Sequence, residues 1–181
     1  DQWRADTLAV YGNRRFRVPV LNRLASSSMV FSRCYVSQPV CTPGRSTVLT
    51  GRWPHNNGCI TNGPILSPGI PAFPELLNDS AYRTAYMGKW HLGDEQFPQH
   101  GFQEWVSIED YQNWSPGRDR STRSSYHHFL VRNGYKPDQK NNTFHRGFTS
   151  QLPMEHCKAT FLANEASAFI LKNRNEPWIL Y

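Results

Sequence analysis

Along this chain, segments whose apolar residues recur at helical spacing take turns with segments that alternate residue by residue, and nothing else in the sequence narrows the fold as much. Val20, Leu21 and Leu24 in VPVLNRLASS indicate a short helix. MVFSRCYV (29–36) alternates and is rich in aromatic and β-branched residues, so it reads as a strand with Cys34 as a buried packing residue. GRSTVLTG indicates the next helix, with Pro43 near its first turn and Gly51 just past its end. The proline-rich SPGIPAFPELLND leads into a short helix around Glu75 to Leu77, and YRTAYMGKW reads as a strand ending in Gly88. CKATFLANEASAFILKN is the plainest helix, with Phe161, Leu162, Ala166, Phe169 and Ile170 on one face, and Pro177 introduces a last strand in EPWILY. Helices between strands imply an α/β sheet. Only residues 104–154 resist this pattern. They are polar, aromatic and irregular, and read as an insertion-like excursion that shapes a pocket rim.

The chain has 181 residues, enough for one packed domain, and a net charge of +6. Its basic residues are scattered (Arg14, Arg15 and Arg17, then Arg118, Arg120 and Arg123) instead of clustered on one element, which argues against nucleic acid and suits a small anionic substrate. No apolar run approaches the length of a membrane span, and no signal peptide is visible. The start on DQWRAD, without Met, and the end on EPWILY read as a chain cut at both ends. Cys34, Cys41, Cys59 and Cys157 form no C-x-x-C pair, which disfavours a structural zinc site. Two short sequons, at Asn78 and Asn141, decide nothing about compartment; secreted, periplasmic, lysosomal-type and cytoplasmic locations all stay open.

Three clusters carry chemistry. In QPVCTPGRSTVLTG, a helix beginning at Pro43 would put Cys41 just before its N-terminus, where backbone N–H groups favour an anion, and Arg45 about a turn further on with a bidentate fork for the same anion. A buried cysteine beside a surface arginine fits the spacing equally well. In MGKWHLG, Lys89 and His91 point the same way if the segment is extended, and they follow a strand, where ligands bind in α/β sheets. A lysine there can hold an anionic oxygen and a histidine can protonate a leaving group; a solvated lysine and a satisfied histidine remain open. In DQWRADT, Asp1 and Gln2 offer oxygen ligands to a hard cation, or a helix cap, while Asp6 and Thr7 brace the turn. Asn62 reaches a pocket or simply makes an Asn-Gly turn. His55 is structural, and His127, His128, His145 and His156 lack ligand spacing. Trp105, Tyr111, Trp114, Tyr126 and Tyr135 can stack on a sugar or aryl ring, or form a small core of their own.

Taken together, these segments resemble the sulfatase family of the alkaline-phosphatase-like superfamily. CTPGR matches the signature Cys-x-Pro-x-Arg and continues into STVLTGRWPHNNG. GKWHLG matches the second family motif, DQWRADTLAVYGN is similar to the first metal-binding segment, and LPMEHCKATFLANEASAFI with EPWILY resembles a later helix and strand. The resemblance implies a sandwich with a central mixed, mostly parallel sheet flanked by helices, of which residues 1–181 are the N-terminal portion. It implies hydrolysis of a sulfate monoester by a formylglycine made from Cys41 by a maturation enzyme. The hydrated aldehyde, activated by metal, attacks sulfur through one oxygen and expels sulfate through the other. On this resemblance Arg45 orients the nucleophile, Lys89 binds a sulfate oxygen, and His91 stabilises the diol or the sulfated intermediate; Asn62, if it reaches the pocket, is a candidate substrate contact. Asp1, Gln2 and the converted Cys41 ligate a divalent metal, calcium first, with magnesium or manganese as alternatives.

The chain departs from the pattern in two ways. Gln2 stands where many sulfatases carry a second aspartate, which resembles branches that include phosphonate monoester hydrolases and keeps a phosphonate or phosphodiester substrate open. The family's later histidine, second metal-ligand pair and further lysine are not in this chain. A non-catalytic fragment or pseudoenzyme is therefore a third reading.

Overall fold

A computed structural model of the chain describes residues 3–110, 119 and 121–181. Asp1, Gln2, Tyr111, Trp114, Arg118 and Arg120 lie outside the described residues. The chain forms two compact units, residues 1–36 and 37–181.

In the first unit, short 3-10 turns at Ala5–Thr7 and Ala9–Tyr11 precede helix α1 (Pro19–Ser26). Asp6 and Thr7 brace the opening turn as the sequence suggests. The Asp6 carboxylate accepts from the Arg4 guanidinium at 2.9 and 2.5 Å, Thr7 Oγ1 donates to the Arg4 carbonyl at 2.7 Å, and Trp3 Nε1 donates to Thr7 Oγ1. Helix α1 forms where its spacing predicts, with Pro19 in the first turn, where a missing N–H loses no helical bond. Residues 29–36, expected as a strand, are not one, and Cys34 is exposed. Alternation alone does not make a strand. The ladder needs a partner to take its N–H and C=O groups, and no described strand pairs with this segment.

The second unit is built on a three-stranded sheet of β1 (Arg83–Gly88), β2 (Glu104–Ser107) and β3 (Trp178–Leu180), in the order β2-β1-β3. Both pairings are parallel, with Tyr86 opposite Trp105 and Thr84 opposite Ile179. A strand's side chains alternate between faces, so this register puts Thr84, Tyr86, Trp105 and Ile179 on one face. There the rings of Trp105, Tyr86 and Tyr181 stack at 4.7 and 5.5 Å across the strands. Leu49, Leu66, Trp90, Leu92 and Phe102 complete that core. Val106 belongs to a second core, with Tyr126, Leu130 and Phe161.

Helices α2 (Cys41–Thr50), α3 (Pro54–Asn57) and α4 (Phe73–Leu77) precede the sheet, and α5 (Ser125–Arg132), α6 (Arg146–Thr149) and α7 (Lys158–Lys172) lie between β2 and β3. Gly51 ends α2 in the left-handed conformation at φ 67°, its amide returning to the Thr47 carbonyl. The stretch 104–154, expected to hold little regular structure, contains β2, α5 and α6. Ser124 caps α5 through the His127 amide, and Tyr126 with Leu130 supplies one buried helical face. On α7, Phe161 and Phe169 are buried as the periodicity indicates, whereas Ile170 is exposed. No described helix is long and apolar enough to cross a membrane.

Candidate active site

Helix α2 begins at Cys41 itself, not after it. Val40 is extended at φ −129° and takes the capping position, and Pro43 falls within the first turn. The amide of Thr42 is one of those a helix start leaves without an intrahelical partner. It donates to Asn62 Oδ1 at 3.0 Å, so the Asn62-Gly63 turn reaches back to α2 and caps it from outside. The Thr42 hydroxyl donates to the His91 carbonyl at 2.9 Å, which ties the helix start to the loop that follows β1.

That loop leaves the sheet at Gly88, whose φ of 127° favours glycine. Lys89 Nζ donates to Cys41 Sγ at 3.7 Å, joining the two motifs over a wide separation in the chain. Arg45 Nη1 donates to the Lys89 carbonyl at 2.5 Å and to the Tyr86 hydroxyl at 3.3 Å, and the Tyr86 hydroxyl donates to the same carbonyl. Part of the guanidinium, which the spacing offers to an anion, therefore holds the loop. Trp90 is fully buried against Tyr86 and Trp105. His91 is not extended as its spacing with Lys89 suggests; it sits at φ 57°, a conformation disfavoured without glycine. The amides of Trp90 and His91 donate to Glu95 Oε2 and Oε1 at 2.8 and 2.6 Å.

His91 lines an open cleft of about 230 Å³ with Thr42, Asn62, Ile65 and Gly93. Burial depresses its pKa, and the positive charges of Lys89 and Arg45 depress it further against a smaller upward pull from Glu109. The ring is therefore neutral at pH 7, and its Nδ1 is buried with no hydrogen-bond partner. Burial pushes the Glu95 carboxyl up to about 7 despite the two amides that favour its charged form. The Tyr86 phenol is likewise raised well above its ordinary value by burial, so it stays protonated and donating. Lys89 lies beside Cys41 at the start of a ten-residue helix, and the neutral His91 imidazole lines the cleft with the next residue, Thr42. Such a group of donors suits an oxyanion bonded to, or approaching, the side chain at position 41.

The remaining candidates divide clearly. His55 is exposed on α3. His127 Nδ1 pairs with Asp110 at 2.8 Å, His145 caps α6 through Gly147 N, and His156 Nδ1 bonds the Tyr135 hydroxyl at 2.7 Å. Trp105, Tyr126 and Tyr135 pack against Tyr86, Phe161 and Phe148 respectively, so these rings build cores and do not offer stacking faces. Asp1 and Gln2 lie outside the described residues, and among those described no group of three or more His, Cys, Asp or Glu side chains could hold a metal ion. The described residues thus do not make a metal site by themselves. Sequence reasoning missed Thr42, Tyr86 and Glu95. Tyr86 could have been found from its inward position in the alternation of β1, but the other two carry no periodic signal.

A family model described as Sulfatase matches residues 1–181. The chain is 30% identical over 138 residues to the N-acetylglucosamine-6-O-sulfatase of Bacteroides thetaiotaomicron, covering 76% of this chain and 24% of that protein. It is 38% identical over 114 residues to the N-acetylgalactosamine-6-sulfatase of Canis lupus familiaris, covering 54% of this chain and 22% of the relative. The chain spans about a quarter of the length of these curated relatives. Among solved structures, the phosphonate monoester hydrolase of Agrobacterium radiobacter matches with a TM-score of 0.70 and 18% identity over 99% of this chain and 38% of that one. A protein solved in complex with its substrate D-glucosamine-2-N,6-O-disulfate matches with a TM-score of 0.60 and 23% identity over 97% of this chain and 30% of that one. These likenesses establish the α/β architecture as part of an alkaline-phosphatase-like fold.

Proposed function

This chain belongs to the sulfatase family, and from that membership we propose that the full-length protein hydrolyses a sulfate monoester to an alcohol and sulfate. The observation that carries the reading is the contact of Lys89 Nζ with Cys41 Sγ at 3.7 Å, which joins the CTPGR and GKWHLG motifs, whose Thr42 and His91 line one cleft. The group that acts at position 41 is a formylglycine made from Cys41 by a maturation enzyme. When hydrated it supplies a diol, one oxygen of which attacks sulfur while the other later expels sulfate.

The chain's own residues do the rest. Lys89 holds a sulfate oxygen, and its ammonium stabilises charge that builds up as sulfur is attacked. His91 is neutral and lines the cleft, so its ring can share a proton with the diol or the departing alcohol. Arg45 fixes the Lys89 carbonyl, and thereby the loop, and orients the nucleophile. Asn62 presents its amide to the substrate from the cleft wall. By residue type alone, Asp1, Gln2 and a converted Cys41 would offer the oxygen ligands that calcium takes, and a bound calcium would supply a Lewis acid for the nucleophile. Two relatives are named for 6-sulfated amino sugars, so a sulfated sugar is the substrate class to try first.

The test is steady-state turnover of an aryl sulfate and an aryl phosphonate by the full-length protein and its Cys41→Ala variant. The sulfate is expected to be preferred, and the variant to lose at least about a thousandfold in kcat/KM. Preference for the phosphonate by orders of magnitude, or full activity in the variant, would overturn the reading.

A further inference from the structure

Glu95 lies just beyond GKWHLG and takes no part in the reaction proposed above. It has no exposed surface, and its carboxylate is met by two backbone amides. Oε2 accepts from Trp90 N at 2.8 Å and Oε1 from His91 N at 2.6 Å. One carboxylate thus takes two successive amides, and the residue that carries the second of them, His91, turns at once into the left-handed region at φ 57°. The carboxylate is anchored in its turn, because the Glu95 carbonyl accepts from Trp105 Nε1 at 2.7 Å on β2. From the opposite side, the Thr42 hydroxyl holds the His91 carbonyl. The backbone of His91 is thus held at both its N–H and its C=O, while its ring lines the cleft.

We propose that Glu95 is a positioning residue for the site: as a carboxylate it grips the amides of Trp90 and His91 and fixes the left-handed turn that sets the His91 ring in the cleft. Its assay, though not its geometry, rests on the sulfate-ester reading. The grip depends on charge, because protonation turns one accepting oxygen into an O–H that no longer receives its amide well. The charged and titratable groups around the carboxylate are Tyr86 on β1, Arg45 on α2 and Glu109 beyond β2, beside His91 itself. Burial lifts Glu95 to about 7 and Glu109 adds to the rise, while the two amides and Arg45 oppose it. The gripping form therefore prevails above about pH 7 and fades below it.

The experiment compares the full-length wild type with Glu95→Gln, Glu95→Asp, His91→Ala and the Glu95→Gln/His91→Ala double variant. Aryl sulfate turnover is followed between about pH 5 and pH 9, and folding is checked by thermal melting. Glu95→Gln is expected to lose on the order of 10- to 100-fold in kcat with KM nearly unchanged, and to lack the acid limb that the wild type shows near pH 7. Glu95→Asp, too short to reach both amides, is expected to fall in between and keep that limb; it carries the test if Glu95→Gln does not fold. The double variant is expected to be no worse than His91→Ala alone. Wild-type kcat in the folded single variants, or losses that multiply in the double variant, would overturn the proposal. If the wild type turns over no aryl sulfate, the sulfate reading falls alone. Glu95 is then judged by NMR titration of the His91 ring, expected to shift in Glu95→Gln; an unshifted ring would overturn the positioning role.

Discussion

At the scale of single residues, the site depends on polar atoms that hold backbone. Thr42 and Glu95 hold His91 by its carbonyl and amide, and Arg45 and Tyr86 hold Lys89 by its carbonyl. Replacing Thr42 by Val keeps the shape but leaves the His91 carbonyl without that donor. A loss of about 1–2 kcal/mol in urea unfolding is expected. Glu95 makes a sharper prediction through pH. Its folded pKa, about 7, is raised above the ordinary 4.5. Its contribution to stability is therefore fully present below pH 4.5 and is lost as pH rises through about 7. Measured by urea unfolding at pH 5 and pH 8, the wild type is expected to lose up to about 3 kcal/mol more than Glu95→Gln over that interval. Equal pH dependence in the two proteins would contradict the buried carboxylate. The candidate residues Cys41, Arg45, Lys89 and His91 were legible because their motifs are local in the chain. Thr42, Tyr86 and Glu95 were not, because what they do is set by partners that only folding brings near. Asn62 was half legible: its turn signal was correct, but the turn's service to α2 depends on where that helix starts.

At the scale of elements, alternation and helical spacing identified β1, β3, α1, α2, α4 and α7. They failed in two instructive places. Residues 29–36 alternate well but have no described partner strand, so the pattern found no ladder. β2 pairs with β1 although EWVS offers only four residues of pattern in a polar neighbourhood. Its identity comes from Trp105, which stacks on Tyr86 and meets the buried Trp90 edge-on. Trp105→Ala is accordingly expected to destabilise by about 3–5 kcal/mol, with a matching drop in the urea midpoint. A loss under about 1 kcal/mol would mean that the ring stack is not what holds β2 to the sheet. Gly51 is a milder test of the α2 end. Its Cβ position is open, so only the left-handed backbone resists substitution, and Gly51→Ala is expected to cost about 1 kcal/mol.

At the scale of the whole molecule, the parallel sheet matters because it delivers its loops to one edge. The carboxyl end of β1 presents Lys89 and His91, and the start of α2 brings Cys41 to them. Parallel α/β sheets generally gather ligands at that edge, and the sulfate-ester reading proposed above gives the ligand its chemistry. What distinguishes an oxyanion-ester site from a buried thiol beside a surface lysine is the chemical nature of position 41. Mass spectrometry of the tryptic peptide spanning residues 34–45, taken from the full-length protein made in a host with the maturation enzyme, reads this directly. The account predicts an aldehyde in place of the Cys41 thiol, with Cys34 in the same peptide unchanged. A thiol at position 41 throughout would contradict it.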